Sequence, residues 1–176
     1  MSADFQKGLT AYESGDYATA LRSWKPLAKQ GNTDAQYLLG LMYENGKEVR
    51  QNYKTAVKWY RLAAKQGYAS AQFFLGVMYG NGRGVPQNHK TAVKWYRLAA
   101  EQGSASAQGN LGLMYAIGVG VLKDYVYAHM WGNIAAANGN ENGWKMRNLF
   151  EKKMTPADIS AAQKLARECV KKNYRR

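Results

Sequence analysis

The segment NYKTAVKWYRLAAKQG at residues 52–67 returns as NHKTAVKWYRLAAEQG at 88–103, identical at fourteen of sixteen positions. The echo extends further. AQYLLGLMYENG at 35–46 recurs as AQFFLGVMYGNG at 71–82 and AQGNLGLMYAIG at 107–118. Gly31, Gly67, Gly103 and Gly139 stand 36 residues apart, as do Ala20, Ala56, Ala92 and Ala128. A fixed period of this length constrains the fold more than any other feature of the chain. One such unit cannot bury its own apolar face, whereas stacked units share a continuous core.

Each unit reads as two helices. In the second unit the first helix is expected over about Thr33–Glu44, with Ala35, Leu39 and Tyr43 on one face and Gly46 ending it. A second helix is expected over about Tyr53–Gln66, with Ala56, Tyr60 and Ala63 inward and Gly67 as its stop. Gly40 and Ala64 allow close helix approach, and Trp59, Trp95 and Trp131 offer large surfaces for burial. No strand alternation of useful length is present. The reading is all-α, about ten helices in five pairs. The first unit has only about three residues between its helices, at SGD. Pro26 falls inside a helix and is expected to kink it. The last helix should begin with Thr155 as N-cap, Pro156 in the first turn and Asp158 closing a capping box.

The 176 residues are 46% hydrophobic, enough for a packed core. The single cysteine, Cys169, rules out an intramolecular disulfide and reads as an ordinary half-buried residue. The longest apolar run, Leu111–Leu122, holds three glycines. It is short of the roughly 20 residues a membrane-spanning helix needs. The formal charge is +13. A balance this basic favours polyanions as non-specific partners.

The pattern A-x-x-x-L-G-x-M-Y-x-x-G-x-G-V, followed by A-x-x-W-x-x-x-A-A-x-x-G, resembles the Sel-one-like repeat (SLR), a relative of the tetratricopeptide repeat. Residues 69–103 carry it in full: Ala71, Leu75, Gly76, Met78, Tyr79, Gly82, Gly84, Val85, Ala92, Trp95, Ala99, Ala100 and Gly103. Units 33–67 and 105–139 carry most of it. In the former Glu48 replaces the second loop glycine, so that loop is expected to bend differently. Unit 3–31 resembles a plain tetratricopeptide repeat, and 140–176 resembles the capping end of bacterial SLR proteins. The resemblance implies a single repeat domain over 1–176, a right-handed α-solenoid of about five stacked helix pairs. It also implies a non-enzymatic adaptor that holds protein partners, in a bacterial envelope, signalling or host-contact setting.

The family's packing further implies which residues line a concave groove. These are Asp34, Tyr37, Leu41 and Glu44, then Ser70, Phe73, Val77 and Asn81, then Ser106, Gly109, Leu113 and Ala116. Tyr37 and Phe73 would form an aromatic ladder, with a gap at Gly109. The groove would take a peptide or helix of a partner. The alternative is that these side chains only pack between adjacent units.

The basic residues follow a different stripe. From Val49 to Ala100 there is no Asp or Glu, and Lys54, Lys58, Arg61 and Lys65 share one helix face, repeated by Lys90, Lys94 and Arg97. Stacking would align Arg22, Lys58 and Lys94 in one row and Lys25, Arg61 and Arg97 in another. The rows read either as a strip for nucleic acid or an anionic surface, or as a solvated helix face repeated with the helix. No nucleic-acid-binding motif accompanies them, so a protein partner is the preferred reading.

Catalytic chemistry has little support. GNGRGV at 80–85 follows a helix and lacks the Lys-Ser/Thr of a phosphate loop. His89 and His129 occupy different repeat positions and should not meet. Metal and nucleophile motifs are absent, and nothing calls for a cofactor. The cysteine pairs of penicillin-binding SLR proteins are missing as well. The resemblance and the abrupt MSADF start suggest a periplasmic or secreted protein whose leader has been removed, with a cytoplasmic one as the alternative.

Overall fold

The structure, a computed structural model, describes residues 2–174. Among them are ten α-helices and no strand: α1 Ala3–Glu13, α2 Tyr17–Lys29, α3 Thr33–Asn45, α4 Tyr53–Lys65, α5 Ala69–Asn81, α6 His89–Ala100, α7 Ala105–Ile117, α8 Tyr125–Ala137, α9 Gly143–Glu151 and α10 Pro156–Lys171. None is long and apolar enough to cross a membrane. The chain divides into two compact units, 1–87 and 88–176.

Helix starts follow local chemistry. Asp16, Asn32, Asn52, Asn88, Ser104 and Asp124 each accept a hydrogen bond from a backbone N–H in the first turn. Each such cap is worth about 1 kcal/mol. At Thr155 the capping box is complete: Asp158 N–H donates to Thr155 Oγ1 and Thr155 N–H donates to Asp158 Oδ2, both at 3.2 Å. Helices α3, α5 and α7 end at Gly46, Gly82 and Gly118, all left-handed. Helix α2 continues through Pro26 to Lys29. Lacking an N–H, Pro26 removes one backbone bond without ending the helix.

In the first unit each helix packs on the next, from α1 to α5. Ala35, Leu39 and Met42 are fully buried on α3, and Ala71, Leu75 and Met78 repeat them on α5. Met42 thus completes the buried face, while Tyr43 is only half-buried. On α4 the fully buried ring is Tyr60, and Trp59 beside it is half-buried. Trp24, 36 residues earlier, takes the Tyr60 position in α2 and is fully buried. Gly40 and Gly8 make these rings possible, since a Cβ at either would collide with Tyr60 or Trp24.

The loop glycines have an equally specific task. Gly84 is left-handed (φ +71°), and a Cβ there would collide with the Tyr53 carbonyl, so no side chain fits. In GNGRGV this glycine therefore serves loop packing. Glu48, at the matching position, keeps the same left-handed bend at φ +54°. The loop therefore does not bend differently at this residue. The glutamate tolerates a backbone region that costs non-glycine residues about 1–2 kcal/mol.

In the second unit α6 packs on α7, α7 on α8, and α8 on both α9 and α10. Among the three repeated tryptophans only Trp131 is fully buried, and Trp95 is half-buried like Trp59. The final helix lies against α8, with Ala162, Ala166 and Cys169 inward and polar residues outward. Cys169 is therefore buried, at 7% exposure, more than expected.

A repeated polar clamp joins successive helix pairs. Gln36, Gln72 and Gln108 are buried, and each donates from Nε2 to a carbonyl eight residues earlier, in Ala28, Ala64 and Ala100, at 3.0, 3.2 and 3.0 Å. These carbonyls lie in the last turn of the preceding helix, where backbone acceptors lack helical partners. A buried side-chain amide satisfies both itself and that carbonyl.

Candidate functional site

The first helix of each repeat turns one face to the core and leaves the other partly open. On α3 Asp34 is exposed, and Tyr37, Leu41 and Glu44 are half-buried. On α5 Ser70 and Asn81 are exposed, and Phe73 and Val77 are half-buried. Several of these groups are engaged within the first unit. Tyr37 joins Tyr60, Tyr68 and Phe74 in a cluster with ring centroids 6.1, 5.1 and 6.0 Å from its own. Phe74 also stacks on Tyr60 at 5.4 Å, and Phe73 meets Phe74 edge-on. Phe74, which the repeat pattern does not single out, is thus one of three ring partners of Tyr37.

The acidic positions are engaged too. Tyr60 donates its hydroxyl to Glu44 Oε2 at 2.6 Å. Burial first, and then this bond and the Glu44 charge, raise the Tyr60 pKa far above its ordinary value. Burial, followed by the Asp34 charge, raises that of Tyr68 as well. Folding favours the neutral Tyr60 phenol. The stability it contributes is full below the ordinary phenol value, about 10, and is lost as pH climbs above it. The unfolding midpoint should therefore fall between about pH 10 and 12, and less steeply in Tyr60→Phe. Equal slopes in a pH series of thermal melts would remove Tyr60 from this account.

On α7 Ser106 is exposed and Leu113 is 47% exposed. Two expectations fail here. Gly109 leaves no gap, because the Asn140 side-chain amide sits where its Cβ would be, with Nδ2 2.8 Å away. Ala116 is buried at 6%, and Ile117, 57% exposed, takes its place on the open face. The 36-residue register from Asn81 leads to Ile117 but that from Glu44 leads to Ala116, so the period alone did not choose between them.

The basic stripe separates into two kinds of residue. Arg22, Lys25, Lys54, Lys58, Lys65, Lys90 and Lys94 are exposed. Arg61 donates from Nη2 to the Tyr79 hydroxyl at 3.0 Å, and Arg97 does the same to Tyr115 at 3.2 Å. The two arginines thus brace the helix that follows, and the lysines are solvated.

His129 was not anticipated as a paired group. It is fully buried, and its Nε2–H donates to Glu151 Oε1 at 2.8 Å. Arg147 Nε lies 3.7 Å from the same oxygen. The matching positions one and two repeats earlier hold Val93 with Tyr115 and Val57 with Tyr79, at the same 22-residue separation. The pair thus replaces an aliphatic–aromatic combination at the last repeat. No group of His, Cys, Asp and Glu among the described residues could hold a metal ion. Glu151→Ala should cost about 1–3 kcal/mol by stranding buried His129. The double variant His129→Val, Glu151→Tyr should fall within about 1 kcal/mol of the parent, since buried polar pairs seldom outperform apolar replacements. Additive losses in urea titrations would contradict this exchange.

The Sel1 repeat family profile matches residues 33–68, 69–104 and 105–140. A Sel1 repeat protein from Oxalobacter formigenes has a crystal structure that superposes with a TM-score of 0.80 at 37% identity, over 85% of this chain and 60% of its own. The crystal structure of c5321, described as a protective antigen present in uropathogenic Escherichia coli strains and displaying an SLR fold, gives 0.69 at 31% identity, over 98% of this chain and 46% of its own. The chain spans less than two thirds of either relative's length. No curated protein sequence matches significantly. With three helix pairs in the repeat pattern and an all-helical solenoid fold shared with these structures, the chain belongs to the Sel1 repeat family.

Proposed function

We propose that this protein is a non-enzymatic scaffold that holds a peptide or helix of a partner protein on the open first-helix face of its repeats. Sel1 repeat proteins are generally protein-interaction scaffolds, and their fold is generally non-catalytic. The observation that carries the reading is the pair Leu113 and Ile117, 47% and 57% exposed on a helix whose opposite face is fully buried. Neighbouring apolar side chains left open on one helix face are characteristic of interaction surfaces. In the first unit Leu41, Phe73 and Val77 offer further half-buried surface.

The setting we propose is the bacterial envelope or periplasm, in signalling or host contact. Likeness to a protective antigen supports it, although that property belongs to the E. coli protein. Cell fractionation with an antibody against the chain tests the location, and recovery in the cytosol alone would refute it.

The groove reading is tested by capture from nuclease-treated lysate of the source cell, at low and high salt. Phe73→Ser with Val77→Asp should lose a partner that the parent retains at high salt. Retention at parental strength by the folded double variant would refute the assignment of those residues. A parallel capture without nuclease that retains only nucleic acid, lost at high salt, would favour the exposed lysine rows instead.

A further inference from the structure

The second unit carries an open face unlike that of the earlier repeats. Helices α7 and α9 lie side by side: Met146 Cε comes within 3.6 Å of the Cβ position of Gly112. The 36-residue register places Leu149 of α9 in the position that Leu113 holds in α7. Both are open, Leu113 at 47% and Leu149 at 58% exposure, with Ile117 at 57%. Trp144 stands at the position of the clamp residues Gln36, Gln72 and Gln108. Those glutamines are buried, whereas Trp144 is 51% exposed. A buried polar fastening has thus been exchanged for an open indole, the side-chain type most enriched among binding hot spots.

The fully exposed charged residues of α9 and its C-terminal turn are all lysines. Lys145, Leu149 and Lys153 are exposed at i, i+4 and i+8, and Trp144, Asn148 and Lys152 form a second exposed stripe one residue earlier, so the six residues span the open half of α9 and its C-terminal turn. Lys145 Nζ lies 5.6 Å from the Trp144 ring centre. Glu151 points to His129 and Arg147 instead. Glu141, in the turn before α9, is exposed and makes no ion pair among the described residues.

We propose that this face docks an acidic amphipathic helix of a partner protein. Its apolar residues, spaced i, i+3/i+4 and i+7, would cover Leu113, Ile117 and Leu149, with the Trp144 indole closing the far edge of α9. Its Asp or Glu residues would meet the three lysines. Charge complementarity selects this occupant: a neutral apolar helix would leave the lysines unanswered, and a basic one would be repelled. The proposal rests on the groove reading above and gives the partner its chemistry.

The probe is a synthetic helical peptide with Leu at the i, i+3/i+4, i+7 positions and Glu on the flanks, compared with a copy carrying Lys for Glu. Binding is read by calorimetry and by methyl NMR of the leucines and isoleucines. The Leu/Glu peptide should bind and shift Leu113, Ile117 and Leu149, at least about tenfold more tightly than the Leu/Lys copy. The triple variant Lys145→Glu, Lys152→Glu, Lys153→Glu should reverse that preference, and Trp144→Ala should weaken both. All four positions are exposed, so circular dichroism should report an intact fold. Equal affinity for the two peptides, shifts confined to other residues, or no binding by either would overturn the proposal. So would tighter binding to vesicles of phosphatidylglycerol and phosphatidylcholine than to the peptide, lost in Trp144→Ala, which would assign the face to an anionic bilayer. A lysate partner lost in the Phe73→Ser, Val77→Asp variant but indifferent to the lysine reversal would overturn this proposal and leave the groove reading standing.

Discussion

Trp24→Ala is expected to lower the unfolding free energy by about 3–5 kcal/mol, and the thermal midpoint by about 6–20 °C. The indole is fully buried. It lies 6.1 Å from the Phe5 ring and 5.5 Å from the Tyr12 ring, and its Nε1–H donates to the Phe5 carbonyl at 3.3 Å. Removing it opens a cavity and gives up that hydrogen bond. The walls cannot collapse freely, because Gly8 already brings the α1 backbone against the ring. Trp24→Phe should recover most of the loss, since it refills most of the volume. Urea titration followed by circular dichroism measures both. A loss under about 1 kcal/mol for Trp24→Ala would mean that α1 settles onto α2 without the ring.

Gly143→Ala is expected to detach α9 from α8, at a cost of about 2–3 kcal/mol. Helix propensity alone predicts the opposite sign, since alanine is favoured over glycine by about 1 kcal/mol inside a helix. The neighbours decide. A Cβ at residue 143 would stand 2.5 Å from Ala136 N, 2.8 Å from Ala136 Cα and 2.9 Å from the Gly132 carbonyl oxygen. All three are backbone atoms of α8, so no rotamer change relieves the clash. Hydrogen exchange should show protection lost across 143–151 while α7 and α8 keep theirs. The Leu/Glu peptide should no longer bind, because half of its docking face would have moved. Unchanged or raised stability would show that α9 can shift outward at little cost.

Much of the candidate site was legible because it repeats. Leu41, Val77 and Leu113 follow from the period, and all three are at least partly open. The basic stripe was equally legible, but that Arg61 and Arg97 are tied to tyrosine hydroxyls was not. Those bonds cross 18 residues to another helix. Ala116 was misplaced by a single position, and on a helix one residue is a 100° turn, enough to exchange a buried alanine for exposed Ile117.

The sequence by itself determined the elements: ten helices, their caps, the glycine stops and the period at which they stack. These depend on backbone hydrogen bonds, capping side chains and apolar spacing, and all of them act within one or two turns. Tertiary structure alone decided which member of each apolar stripe is sealed. It chose Met42 over Tyr43 and Tyr60 over Trp59. It also filled the space beside Gly109 with Asn140, joined His129 to Glu151, and laid α10 on α8. Each of these matches side chains or helices that the sequence keeps 20 or more residues apart. Close packing settles them, because a volume left empty or a polar group left unpaired costs more than any local preference returns.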